Sequence, residues 1–202
     1  KKIRNNFKWL ISVDVDEFIT TKKHKNNTIK RELKTTFKNV DCVCVPWVMM
    51  SSNGRKKNPK SILLENTYRW NHDLTHLIAD KKYKKFTCRY NEIQIKCIFK
   101  TNEFDTIQVH CPHNRKSNRK RLGVNSTTLD KVEIASSIVA PREKNIKNGY
   151  LVCYHYRLIS KENTLAKIKK TQYKQFEWKE IQKYDYAEIK DETLKNKIKG
   201  IK

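Results

Sequence analysis

Residues Trp9–Ile19 read W-L-I-S-V-D-V-D-E-F-I: an apolar run that meets two carboxylates one residue apart, then a third acid and an aromatic. Alternate residues of a strand share a face, so a strand through Val13 predicts that Asp14 and Asp16 project together from its carboxyl end. Two hard oxygen donors side by side suit an octahedral divalent cation, Mg²⁺ or Mn²⁺. Such a cation takes a few carboxylates and completes its shell with water and substrate phosphates. A phosphate-bearing substrate is the first expectation.

Other uses of D-x-D fit the residues less well. A calcium-binding EF-hand loop needs an oxygen ligand at its fifth position and glycine at its sixth, where Phe18 and Ile19 stand. A phosphohydrolase of the haloacid-dehalogenase type uses the first Asp as nucleophile, but its pattern calls for Thr or Val in place of Phe18. It also needs a later pair of neighbouring acids, and no two Asp residues adjoin after Glu17. The plain alternative is an acid pair that caps a strand and faces water.

Outward from this stretch, Asn27 can cap a helix whose apolar residues Ile29, Leu33 and Phe37 recur every four positions. Asp41–Trp47, D-C-V-C-V-P-W, reads as a second buried strand, stopped at Pro46. Strand, helix, strand with continuous apolar strands predicts a parallel crossover in an α/β layer fold, with ligands beyond the carboxyl ends of the strands. Met49–Lys60 is a polar loop with an Asn53-Gly54 turn. Ile93–Phe99 and Phe104–Cys111 predict a hairpin, His113–Arg121 a mobile basic loop, and Gly149–Tyr156 a last strand. Ser160 then caps a helix carrying Leu165 and Ile168, and a Lys-rich, helical C-terminal segment follows.

Composition sets outer limits. The 202 residues suffice for a proper core, and 37% hydrophobic content predicts a folded chain. A formal charge of +24 favours polyanionic partners, but 35 Lys against 10 Arg, scattered along the chain, reads mostly as solvated surface. A non-enzymatic module binding nucleic acid or other polyanions is the competing reading, carried by the run Arg115–Arg121. Cys42, Cys44, Cys88, Cys97, Cys111 and Cys153 sit in apolar company without a C-x-x-C pair, which suggests buried free thiols and a reducing, cytoplasmic-type compartment. The H-C-P-H stretch at His110–His113 does not match a familiar zinc spacing. Asn26 and Asn125 begin N-x-T sequons.

Four segments in order carry a family resemblance: W-L-I-S-V-D-V-D-E-F, V-C-V-P-W-V-M-M-S-S-N-G, K-C-I-F-K, and C-Y-H-Y-R-L-I-S-K-E-N-T-L-A-K. Together they resemble the GT-A glycosyltransferases related to families 2 and 92, which show a strand into D-x-D-E-F, a V-x-W-x-x-F-G-S-x-G loop and a late H-Y-x-x-x-S-x-E element. Met50 and Ser51 replace the usual Phe and Gly of that loop. The resemblance implies a Rossmann-like mixed sheet flanked by helices over residues 1–172, with 173–202 as a Lys-rich helical extension. Family members carry a βαβ segment ahead of the D-x-D strand, so a domain truncated at its N-terminus is expected, and with it an incomplete nucleotide pocket.

The resemblance further implies a metal-dependent, inverting transfer of a sugar from a nucleoside-diphosphate donor to a glycan or other hydroxyl acceptor. Mn²⁺ or Mg²⁺ would be held by Asp14, Asp16 and His155, with Asp16 the most direct ligand and Asp14 nearer the ribose. Lys167 and His110 are expected on the donor side, and Trp47, Ser52 and Asn53 on the acceptor side. An inverting transfer needs a carboxylate base, for which Glu65 and Asp73 are the candidates, with Asp105 a third. Glu17 is assigned a structural role. Nucleic acid is not an expected partner, and the basic surface leaves membrane contact open.

Overall fold

In this computed structural model, residues 6–74, 76, 92–115, 122–170 and 174–200 are described. They form two compact units. One comprises residues 1–47 and 91–153, the other 48–90 and 154–202.

The first unit is built on a mixed sheet with the strand order β1(Trp9–Leu10), β5(Ile93–Lys100), β3(Cys42–Met49), β11(Leu151–His155), β2(Glu17–Thr21). Further strands β8(Leu122–Asn125), β9(Lys131–Glu133) and β10(Ser137–Ile138) attach to its path. β3 and β11 are buried at every residue, as continuous apolar runs predict for central strands. β3 pairs antiparallel with β5, setting Cys44 opposite Cys97 and Val45 opposite Lys96, and parallel with β8. The strand does not stop at Pro46, which lies opposite Ile95 and removes only a single ladder donor.

Other expectations change. β1 and β3 both run antiparallel to β5, which lies between them, so they are parallel to each other as expected but are not neighbours, and the chain joining them also forms β2 at the other end of the strand order. Phe104–Cys111 does not form a hairpin with the preceding strand. β6(Phe104–Ile107) pairs instead with β7(Pro112–Arg115), so His113 is in a strand, opposite Thr106. The rest of the basic run, 116–121, lies outside the described residues, as does Cys88.

Helix α1(Ile29–Lys34) is capped by Thr28, whose hydroxyl accepts from the Arg31 N–H at 3.1 Å, rather than by Asn27. Asn27 donates instead to the buried Glu32 carboxylate at 2.7 Å, which also receives the Thr36 hydroxyl and meets His24 Nδ1, both at 2.7 Å. Burial pushes the Glu32 pKa up, but the three hydrogen-bonding partners outweigh it and hold the group below the usual glutamate range. Of the two sequons, Asn26 is exposed. Asn125 is buried, its side-chain oxygen accepting from both the N–H and the hydroxyl of Thr127.

In the second unit, β4(Tyr68–Arg69) pairs antiparallel with β12(Ile189–Lys190). Among the described residues this unit also holds helices α2(Ile62–Glu65), α4(Lys161–Lys169), α5(Trp178–Gln182) and α6(Thr193–Lys199); α3(Glu143–Asn148) belongs to the first. Ser160 caps α4 as predicted, accepting from the Asn163 N–H at 2.9 Å, but the residue that α4 buries is Thr164 and Leu165 is exposed. Residues 174–200, set apart by composition as an extension, supply Phe176, Ile181 and Tyr184 to a buried cluster with Leu158.

Two stability predictions follow from the first unit. Glu32→Gln should cost about 1–2 kcal/mol at pH 7 by removing charge-assisted hydrogen bonds. Because the folded pKa is depressed, this contribution is present above the unfolded value near 4.5 and is lost as pH falls through the folded value. Denaturant unfolding from pH 7 to 3 should therefore show the two proteins converging in acid. Gly123→Ala should destabilise by about 1–3 kcal/mol, because a Cβ there would lie 2.9 Å from Cys44 Sγ and 3.0 Å from the Cys42 carbonyl; urea titration measures it.

Candidate active site

The D-x-D stretch lies in a turn between β1 and β2, not at the end of one long strand. The Glu17 N–H donates to the Asp14 carbonyl at 3.1 Å, closing a four-residue turn, and the Glu17 carboxylate accepts the Asp14 N–H at 2.8 Å. Val15 at the tip is 97% exposed, which a sheet strand beside a core would not allow. Asp14 and Asp16 are thus presented by turn geometry rather than by the alternation of a strand. Glu17 is the buried member of the trio.

Lys96 organises this turn. Its side chain is fully buried, and its ammonium lies 3.0 Å from Glu17 Oε2 and 3.1 Å from Asp14 Oδ2 while donating to the Val109 carbonyl at 3.0 Å. All three ammonium protons can therefore find acceptors, which a buried charge requires. Burial pushes the Glu17 pKa up; the Asp14 N–H and Lys96 oppose the shift without cancelling it. Asp14 keeps 58% of its side chain exposed, so its carboxylate is anchored from below and open to solvent. Asp16 is half-buried. An exposed, anchored carboxylate with a second one two residues on is an oxygen donor set suited to Mg²⁺ or Mn²⁺.

Beside the turn is a cavity of about 770 Å³ walled by Trp9, Leu10, Val13, Ile19 and Leu33, and lined as well by Lys30, Lys34 and Lys38. An apolar floor with several cations suits a ligand that has a flat, weakly polar part and an anionic part. His110 and Trp47 also belong to this unit. His110 Nδ1 meets the Ile95 carbonyl at 3.0 Å, its ring stands edge-on to Trp47 at 5.4 Å, and Trp47 is 5% exposed. Trp47 is packed as a core residue, and His110 is half-buried.

The other predicted site residues fall in the second unit. Ser52 is held by Asp185, which accepts its N–H at 2.9 Å and its hydroxyl through a short hydrogen bond. Asn53 and Gly54 both take left-handed backbone conformations, φ 50° and 68°, so the Asn-Gly turn forms as predicted. The N–H of Asn53 donates to the Ser51 hydroxyl at 2.8 Å. The polar loop is then stapled to the late S-x-E element. Ser160 donates its hydroxyl to Asn58 Oδ1 at 2.6 Å, and the Glu162 carboxylate accepts the Asn58 N–H at 2.8 Å.

Glu65 Oε2 accepts from Arg55 at 3.0 Å and Oε1 from the Ser61 N–H at 3.0 Å. The Ser61 N–H is the largest influence on its pKa and, with Arg55 and Lys60, holds it below the usual range although burial opposes them. Asp73 is exposed in a turn with its N–H on Asn71 Oδ1 at 3.0 Å. Lys167 donates to the Arg157 carbonyl at 3.3 Å, and His155 is 2% exposed. Sequence reasoning missed Lys96, whose only signal is a lysine inside the apolar strand I-Q-I-K-C-I-F, and the two C-terminal acids Asp185 and Asp191.

Asp191 is buried with Arg69 at 2.9 Å and accepts the Tyr154 hydroxyl at 2.9 Å, while Arg69 also donates to the Trp70 carbonyl at 2.9 Å. Desolvation first, and then Asp191, push the Tyr154 pKa far above its ordinary value.

A profile of glycosyltransferase family 92 matches residues 2–197. The chain belongs to that family. Its match runs through both units and includes most of the Lys-rich C-terminal segment, so the chain is a glycosyltransferase with a mixed α/β architecture. No curated protein matches the sequence significantly.

The structural importance of Lys96 is testable. Lys96→Met leaves the Glu17 carboxylate buried without its cation, a change that costs about 3–5 kcal/mol. Adding Glu17→Gln to the same chain should restore part of that loss. Chemical denaturation of the wild type, both single variants and the double variant measures the coupling.

Proposed function

We propose that this family 92 glycosyltransferase moves a sugar from a nucleoside-diphosphate donor to a hydroxyl acceptor, with inversion, using Asp14 and Asp16 to hold Mg²⁺ or Mn²⁺. The observation that carries the proposal is the D-x-D turn, exposed at Asp14 and clamped from beneath by a buried lysine. A divalent ion held there would supply Lewis-acid neutralisation of the departing diphosphate.

The remaining work falls to the chain's own residues. Lys96 and Glu17 fix Asp14, so the carboxylate is positioned before donor arrives and little ordering is needed on binding. The neighbouring apolar cavity suits the base and ribose of a nucleotide, with its lysines drawing in the anionic part. Removal of the acceptor proton needs a carboxylate. Glu65 and Asp73 are the candidates for this role; both Glu65 oxygens already accept hydrogen bonds, and its basicity is lowered. His155 as a further cation ligand, Lys167 and His110 on the donor, and Trp47, Ser52 and Asn53 toward the acceptor complete the proposal from motif position. The hydrogen bonds of Ser52 and Ser160 support a role in shaping that loop.

Calorimetry of the full-length protein with Mn²⁺ and a panel of nucleotide sugars tests the reading. Metal-dependent donor binding is expected, and its absence with and without metal would overturn the proposal. Asp16→Ala should abolish transfer with thermal stability level or raised, because removing one of several clustered acids relieves repulsion. Asp16→Asn should lose most of the activity. A variant that turns over donor normally, or that unfolds, would make Asp16 a structural residue.

A further inference from the structure

The three thiols of Cys42, Cys44 and Cys97 form a cluster apart from the D-x-D turn. Cys42 and Cys44 are two apart on β3 and share a face, and Cys97 is the cross-strand partner of Cys44 on β5. All three sulfurs lie within 4.8 Å of one another, with Cys44 and Cys97 at 3.9 Å, and all three residues are buried.

We propose that Cys42, Cys44 and Cys97 bind a thiophilic d¹⁰ metal ion, Zn²⁺ or Cu⁺, which clamps β3 to β5. Soft thiolate ligands select such ions. Three sulfurs at about 2.3 Å from a central ion lie about 4.0 Å apart in a planar triangle, so this site closes on the ion with a small contraction of its wider edge. Gly123 on β8 leaves the necessary room: a Cβ there would sit 2.9 Å from Cys44 Sγ. Binding breaks three S–H bonds, releases three protons to solvent and forms three metal–sulfur bonds, with no change of oxidation state. Because the site is closed, the ion enters as the chain folds, and its binding free energy adds to stability.

The test is elemental analysis and mass spectrometry of the full chain refolded under reducing, anaerobic conditions with Zn²⁺ in one arm and Cu⁺ in the other. One equivalent of either ion is expected, with a thiolate charge-transfer absorption and a raised melting temperature. Alkylation during unfolding in urea should then be slower at Cys42, Cys44 and Cys97 than at the likewise buried Cys111 and Cys153 while metal is bound, and equal after chelation. Cys44→Ser and Cys97→Ser should each weaken binding at least tenfold, and Cys153→Ser should leave it unchanged. Less than one equivalent in both arms, protection of a different set of cysteines, or a Cys44–Cys97 disulfide in the natively isolated protein would overturn the proposal. If the serine variants fail to fold, the alkylation map of the wild type decides alone.

Discussion

The ammonium of Lys96 is the constraint on which the first unit's candidate site depends. A lysine carried into a sheet interior must find acceptors for all its protons, because an unpaired charge there costs several kcal/mol. Glu17, Asp14 and the Val109 carbonyl provide them. The same contacts oblige the chain after β1 to turn back at once, so that Glu17 faces inward and Asp14 stays at the surface. A tool of charge compensation thereby becomes a tool of presentation. Burial of the pair gives weak net stability, but it specifies one conformation for a turn whose tip residue, Val15, has no packing to hold it.

The second unit solves a comparable problem with a different pair. Arg69 on β4 and Asp191 next to β12 are both nearly inaccessible, and Tyr154 and the Trp70 carbonyl take up their remaining hydrogen-bonding capacity. Asp185 meanwhile fixes Ser52 through its N–H and hydroxyl. The polar loop after β3 is therefore ordered in part by an acid 133 residues further along the chain. Two of the family-like segments are joined by the Met50 N–H, which donates to the His155 carbonyl at 3.0 Å, and Asn58, just past the first of them, bonds Ser160 and Glu162 in the second.

The thiol cluster shows how far a local pattern can be read. C-V-C in an apolar strand suggests two buried thiols on one face, and the structure buries both. It does not reveal that the cross-strand register sets Cys97 opposite Cys44, nor that Gly123 is needed to let a neighbouring strand approach the sulfur. Register follows from the packing of whole strands, in which a one-residue slip would turn every side chain to the other face.

Sequence alone determined what local chemistry controls. The continuous apolar runs of β3 and β11 make central strands, Asn53-Gly54 makes a left-handed turn, and Ser160 starts a helix, since each depends on residues within a few positions. The Asp-Val-Asp-Glu stretch was legible as a carboxylate cluster, but not as a turn. Its conformation is set by Lys96, 82 residues away, and a strand pattern of five apolar or small residues is locally just as acceptable. Likewise Phe104–Cys111 reads as one strand, but the strand ends at Ile107 and residues 108–111 turn the chain back, so that β6 pairs with β7 rather than with β5. Tertiary structure decided those points, because a buried charge and an unpaired strand edge each require a partner, and only the folded chain brings that partner within reach.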